Sequence, residues 1–373
     1  MVSRRTALRS AGLLLGGVGA GCLGTGGPDA DRVRWRTGLS GGLALDGSDL
    51  YLLDSLTLHT LSPTDGGTRW TVEYEEDDFE RRLCLRSDIV VDDRHVYVPG
   101  CDGLRALRRS DGERAWFVGS ALRAGVGVEP RSTGGRPAAD DDRTGSGDGH
   151  ADGRVYANAG DLLAIDAETG TVDWRASTGG DRLLSPAPTA DGVVFANRVD
   201  GVVTAFDADG ERRWQYRTDT ETRSPTVADG TVYVATSTEP GRTGRLLALD
   251  LADGTVQWAV DTPSPRRGTR PVVGADAVYL GCTGRDHGRL VARRRTDGAE
   301  QWSFADGNSG VYEPVLAGDR VYAGSNDDSL YAFSRAGDRQ WTVETDSTVG
   351  SVAVGPDLVY ASNNERLFAV ERD

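Results

Sequence analysis

Lysine is missing from this chain. All 42 basic residues are arginine, set against 57 acidic ones, for a formal net charge of −15. That balance leaves no basic face for phosphate, so nucleic acid is not an expected partner. Cysteine is scarce as well: Cys22, Cys84, Cys101 and Cys282 each stand alone. No C-x-x-C-H run occurs, which excludes an attached haem. The four histidines, His59, His95, His150 and His287, fall in different segments. Cys282 and His287 share the stretch CTGRDH but lack two further ligands at zinc spacing. No nucleophile and base stand paired, which leaves hydrolase chemistry unsupported, since such triads are recognised by geometry. What is abundant is glycine, 50 residues, beside a hydrophobic content of 38%. That mixture suits many short strands and tight turns better than long helices.

An acidic, aspartate-rich, lysine-free surface is what a protein kept soluble in strong brine needs. Carboxylates hold water and ions, whereas lysine's long stem exposes apolar surface. The composition resembles that of secreted proteins of halophilic archaea. A coding bias that favours arginine over lysine is an alternative source of the same feature. Acidic runs such as NDDS (Asn326–Ser329) and DDD (Asp140–Asp142) read as solvated surface of this kind.

The first residues, MVSRRTALRSAGLLLGGVGAGC, carry a basic, apolar, small-residue order that belongs to export rather than to a fold. Arg4 and Arg5 form a twin-arginine pair, and the segment resembles a twin-arginine signal. Its apolar run, Ala11 to Ala20, is short of the ~20 residues a spanning helix needs. Gly19 to Cys22 resembles a lipobox, with glycine where leucine is commoner. On this reading residues 1–21 are a signal peptide, Cys22 is lipidated through its thiolate, and residues 22–31 are a glycine-rich tether. An uncleaved anchor or an ordinary signal is the alternative.

Internal repetition decides the fold expectation. The eight tryptophans, Trp35, Trp70, Trp116, Trp174, Trp214, Trp258, Trp302 and Trp341, are separated by 35, 46, 58, 40, 44, 44 and 39 residues. The longest gap contains STGGRPAADDDRTGSGDGH, residues 132–150; taking out those 19 residues shortens it to 39. This insert has no aromatic residue and no aliphatic one beyond alanine, so it builds no core and reads as a disordered loop. Each unit has the same order. In Arg223 to Thr262 the segments PTVA, TVYVAT, RLLALD and TVQWAV alternate at period two and are separated by Asp-Gly turns, a hairpin signature. Four short strands every ~40 residues make a propeller blade. After Trp341 only three strands follow, and the N-terminal VRWRT around Trp35 supplies the fourth. The expectation is an all-β, eight-bladed β-propeller of four-stranded blades over residues 32–373. Its ring is closed by the N-terminal strand, which removes exposed sheet edges. Seven blades with one irregular unit is the competing count.

The unit ends resemble the tryptophan-docking motif of the pyrroloquinoline-quinone (PQQ) propeller family. AIDAETGTVDW (Ala164–Trp174) matches it fully, and ALDLADGTVQW, ALRRSDGERAW and ARRRTDGAEQW keep its spacing; AFDADGERRW and AFSRAGDRQW are one residue shorter. The resemblance covers nearly all of the mature chain. It implies that the glycine permits a tight turn or close approach and the alanine leaves room for a neighbour. The eight tryptophans would then pack blade against blade, each burying up to ~250 Å².

Within the same family, quinoprotein dehydrogenases carry an adjacent cysteine pair, a calcium site of Glu, Asn and Asp, and a catalytic Asp. This chain has no adjacent cysteines and no large extra loop besides the insert. No cofactor or metal is therefore expected, with a PQQ–calcium dehydrogenase as the alternative. In repeat type, blade count and lipid anchor the chain resembles the propeller lipoproteins of the outer-membrane barrel-assembly machinery. That resemblance implies a non-enzymatic binding or scaffold protein, a monomeric propeller with protein partners, exported and lipid-anchored on the outer face of the membrane. An extracellular sensor or substrate-binding module is a further alternative.

Two local expectations remain. Cys84 and Cys101 flank the hairpin LCLRSDIVVDDRHVYVPGC. Its turn at Asp92–His95 makes residues whose numbers add to about 187 face each other. The two cysteines fall one register pair from that, so a disulfide is expected, with two buried thiols as the alternative. Cys282 is expected to be free and buried. The loops entering each blade's first strand form one mouth of the channel, and there Arg182, Arg223, Arg267, Arg270, Tyr312 and Glu313 are candidates to meet a carboxylate-bearing ligand or an acidic peptide tail. The alternative is ordinary solvated arginine.

Overall fold

The computed structural model describes residues 30–54, 57–74, 89–100, 102–119, 124–128, 153–178, 184–237, 244–262, 267–283, 288–305 and 310–373. Arg4, Arg5, Cys22, the 132–150 insert, Cys84, Cys101 and Arg182 lie outside these residues, and with them the signal, the anchor and the disulfide expectations.

The described chain is almost entirely β, with one short 3₁₀ turn at Ala30–Arg32. Its strands form eight antiparallel sheets, the blades. Blade 5 is representative: Thr226–Ala228, Thr231–Ala235, Arg245–Asp250 and Val256–Asp261 pair in sequence order. Blade 8 takes Val349–Val354, Leu358–Asn363 and Leu367–Glu371 from the C-terminal end and Val33–Thr37 from the N-terminal end. Trp35 faces Ala369 across that seam. The eight-blade count and the closing strand thus agree with the tryptophan spacing. In blade 2 the pairs Val90↔Tyr97 and Val91↔Val96 give the register read from the hairpin.

Blade 6 departs from the pattern. Its first strand is split into Arg267–Gly268 and Val272–Val273, both paired with Ala277–Thr283. Pro271 lies in the gap and has no N–H to give a ladder. Its carbonyl instead accepts a bond from Thr226 Oγ1 of blade 5 at 2.6 Å.

The core is divided among the junctions between blades. Eight buried clusters each straddle one junction. Period-two alternation produces this: successive side chains leave opposite faces of a strand. Val232 and Val234 pack toward blade 4, and Tyr233 and Ala235 toward blade 6. Because both faces are covered, Thr231–Ala235 is buried at every position. Cys282 belongs to the junction of blades 5 and 6, free and fully buried, and burial pushes its thiol up to about 12.

Candidate functional site

The propeller presents two faces of different character. One holds the turns between the third and fourth strands, where the tryptophan motif lies. In AIDAETGTVDW, Asp166 Oδ1 accepts bonds from the Glu168 and Thr169 N–H groups at 3.1 and 2.7 Å and from the Thr169 hydroxyl at 2.7 Å. This knots the turn. Gly170 then adopts φ of 74°, and a Cβ there would stand 2.7 Å from the Trp116 ring of the preceding blade. Only glycine meets both demands. Ala164 faces Trp174 across the strand pair and is fully buried.

Trp174 in turn reaches the next blade, its Nε1 donating to the Ala208 carbonyl at 2.8 Å. All eight tryptophans do the same. Trp35, Trp70 and Trp116 donate to the carbonyls of Pro63, Arg109 and Ala167. Trp214, Trp258, Trp302 and Trp341 donate to those of Leu251, Arg295, Arg335 and Arg372. Seven rings also receive a positive-φ glycine of the next blade. The eighth, Trp341, lies at the seam, where the Arg32 guanidinium sits 5.7 Å from the ring centre.

Sequence reasoning missed a second link on this face. Arg109 and Arg295, whose carbonyls receive a tryptophan, also bond through Nε to a tyrosine hydroxyl of the preceding blade, Tyr51 at 3.1 Å and Tyr233 at 3.2 Å. Arg109 further pairs with Asp46 and Asp49 of blade 1, and burial holds the Asp46 carboxyl above its ordinary range despite that arginine. The signal was present in sequence, as a tyrosine in the second strand facing an arginine in the next blade's motif.

The other face carries the mouth loops. Isolated bridges Thr222↔Thr236, Thr283↔Gly310 and Val311↔Ser325 tie these loops to the second strands. Among the predicted mouth residues, Arg270 and Glu313 come together as an ion pair of 2.9 Å joining the loops of blades 6 and 7. Arg223 bonds to Ser237 Oγ at 2.8 Å within blade 5. The Tyr312 hydroxyl donates to Asn326 Oδ1 at 2.7 Å within blade 7, and burial raises its pKa. Arg267 opens the split strand opposite Thr283, with its backbone alone described. Among the described residues no group of three or more His, Cys, Asp or Glu side chains is placed to hold a metal ion.

The family described as outer membrane protein assembly factor BamB matches residues 25–144, 104–223 and 158–373 in overlapping segments. The factor of that name from Shewanella oneidensis is 27% identical over 239 residues, which are 56% of this chain and 58% of that protein. Against the curated relatives it matches first, the chain spans about a third to three fifths of their length. The crystal structure of BamB from Moraxella catarrhalis superimposes with a TM-score of 0.64 at 21% identity, over 90% of this chain and 95% of that one. The quinohemoprotein alcohol dehydrogenase of Comamonas testosteroni gives 0.63 at 14% identity, over 92% of this chain and 75% of that one. Such distant structural likeness establishes the shared fold alone. With the family match running along residues 25–373 and eight repeats docked through their tryptophans, the chain belongs to the PQQ-repeat propeller family described as outer membrane protein assembly factor BamB.

Proposed function

We propose that this chain is a non-enzymatic binding and scaffold protein, exported and held by a lipid on Cys22 at the outer face of the cell membrane. It works there as a monomeric propeller with protein partners. The observation that carries the reading is the use made of the family motif. Every tryptophan is committed to the next blade, its N–H bonded and its ring packed between blades. The motif therefore builds the ring and leaves no indole free for a ligand. The relatives named as outer membrane assembly factors support protein partners and a place outside the cytoplasm.

PQQ with calcium is the group the fold family would suggest. The residues here do not fit it. The cysteines are isolated in the sequence, without the adjacent pair of the quinoprotein dehydrogenases, and the indoles are taken up by blade docking. On this reading partners meet the mouth, where the guanidinium groups of Arg223 and Arg270, beside Tyr312 and Glu313, meet a carboxylate or an acidic tail.

Affinity capture from native membranes in molar salt is the direct test. A stoichiometric protein partner lost on substituting Arg223 and Arg270 supports the reading. Tight, stoichiometric PQQ binding with calcium and reduction of an acceptor dye overturns it. Cys22→Ser checks the anchor separately: a variant that stays in the membrane fraction with its lipid unchanged removes that part of the proposal.

A further inference from the structure

On the mouth face a cleft of about 500 Å³ opens between blades 4 and 5, lined by Tyr216, Asp219, Thr236, Arg245 and Asp261 among others. It is separate from the mouth residues above, and its meaning comes from a comparison within the ring. Blade 8 carries the same elements. The strand RLFAVE from Arg366 repeats RLLALD from Arg245, and the loop Thr345-Asp346-Ser347 repeats Thr218-Asp219-Thr220. Both loops are pinned alike. Thr345 Oγ1 donates to the carbonyls of Asp328 and Ser347 at 2.8 and 2.7 Å, and Thr218 Oγ1 to those of Gly201 and Thr220 at 2.9 and 2.6 Å.

In blade 8 the arginine and the aspartate close on each other: Arg366 Nη2 lies 2.9 Å from Asp346 Oδ2. In blade 5 the equivalent pair stays apart. The half-buried Arg245 uses its backbone N–H on Thr236 Oγ1 at 2.9 Å, but its guanidinium has no hydrogen-bond or ion-pair partner among the described residues. Asp261, its register partner across the strand pair, does not hold it either. Two sequence differences set the blades apart: Tyr216 stands where Val343 stands before blade 8, and eight residues separate Thr236 from Arg245 where two separate Asn363 from Arg366. An unpaired, partly desolvated guanidinium is unfavourable. It is the less expected in a chain with 57 acidic residues to 42 arginines.

We infer that this cleft binds a small zwitterion, of the size of an amino acid to a short peptide. Arg245 takes the carboxylate through its planar fork, as guanidinium does where geometry permits two parallel bonds. Asp261, on the exposed rim, faces the ammonium group, and Tyr216 lines the cleft beside it. The volume lies within the range of small-molecule sites.

Titration calorimetry in molar salt with glycine, dialanine and trialanine tests this. The expected result is saturable one-to-one binding of at least one of them, tighter than about 10 mM. It should weaken by about tenfold or more in Arg245→Gln and stay unchanged in Arg366→Gln. N-acetylated, amide-capped dialanine should not bind. If Arg245→Gln does not fold, as judged by its melting temperature, Asp261→Asn on the exposed rim serves instead. It should weaken the amine-bearing probes and leave acetate unaffected. Absence of saturable binding by all three probes overturns the inference, as does undiminished binding by a folded Arg245→Gln. Acetate matching the best probe would remove the zwitterion from it.

Discussion

The two faces of the ring differ in how much they repeat. On the docking face one contact recurs eight times: an indole N–H on the next blade's carbonyl, at 2.7 to 3.1 Å. On the mouth face the entering loops of blades 5 to 7 are held by different contacts, Arg270 by Glu313, Arg223 by Ser237 and Tyr312 by Asn326. The repeated contact is at least half-buried and lies at the junctions that make up the core. The varied ones are polar and partly exposed, and an ion pair such as Arg270–Glu313 contributes ~0–1 kcal/mol. One face thus supplies stability, and the other is free to vary because little stability depends on it. The seam sharpens the point. It keeps the Trp341 contact, but Arg32 stands against that ring where the other junctions bring a glycine, and it donates to the Asp373 carbonyl at 2.9 Å. Closure between two ends of the chain thus relies on the same device as closure within it.

The largest effect expected is from removing residues 30–37. This strips the partner of Leu367–Glu371, deletes Trp35 and bares a sheet edge. The loss should exceed about 5 kcal/mol in denaturant unfolding. Light scattering should show association that grows with concentration. A truncated chain that stays monomeric with an unchanged midpoint would mean that the seam does not hold the ring. Trp174→Ala comes next, at about 3–5 kcal/mol. Arg270→Gln on the other face should cost less than about 1 kcal/mol. If the two prove equal, the contrast between the faces is wrong.

A subtler comparison uses two glycines with nearly the same backbone. Gly170 and Gly230 have φ of 74° and 73°. A Cβ at Gly230 meets nothing within 4 Å, whereas one at Gly170 meets the Trp116 ring at 2.7 Å. Gly230→Ala should therefore cost about 1–2 kcal/mol from the left-handed backbone alone. Gly170→Ala should cost about 1–3 kcal/mol more from overpacking. Equal losses in thermal unfolding would mean that the indole yields freely and is not a rigid wedge between blades.

The framework was legible because it repeats. Tryptophan at ~40-residue spacing, alternation through strands such as TVYVA and Asp-Gly turns are each weak locally, but in phase eight times over they fix blade number and closure. Register followed in blade 2, since both strands and the turn were readable. The split of blade 6's first strand at Pro271 could have been anticipated from the proline. The mouth was only partly legible. Sequence placed Arg223, Arg270, Tyr312 and Glu313 on entering loops, but the pairing of Arg270 with Glu313 depends on the spacing of blades 6 and 7, which periodicity does not encode. Arg245 went unnoticed for a related reason. Its significance lies in a difference from Arg366, and reading for repeats emphasises what is shared.

The smallest effect concerns pH, and it probes a residue on the face of blade 1 that turns toward blade 8. His59 sits on the third strand of blade 1, opposite Thr71. Burial lowers its pKa below the ordinary 6.5, and the nearby carboxylates Asp54 and Glu73 only partly offset this. The unfolded chain then binds more protons than the folded one between the two values. Stability from this source is fully present above pH 6.5 and is lost as pH falls through the folded value. Asp46 acts in the opposite sense. Its folded pKa is raised above 3.8 chiefly by burial, so its contribution is present below that value and lost as pH rises through the folded one. The two are separated by substitution, not by the raw profile. Unfolding midpoints measured from pH 7.5 down to about pH 5 should decline in the parent chain, and in His59→Gln that decline should flatten. A slope unchanged by the substitution would assign the acid sensitivity to other groups and show that His59 carries its proton in the folded ring as readily as in the unfolded chain.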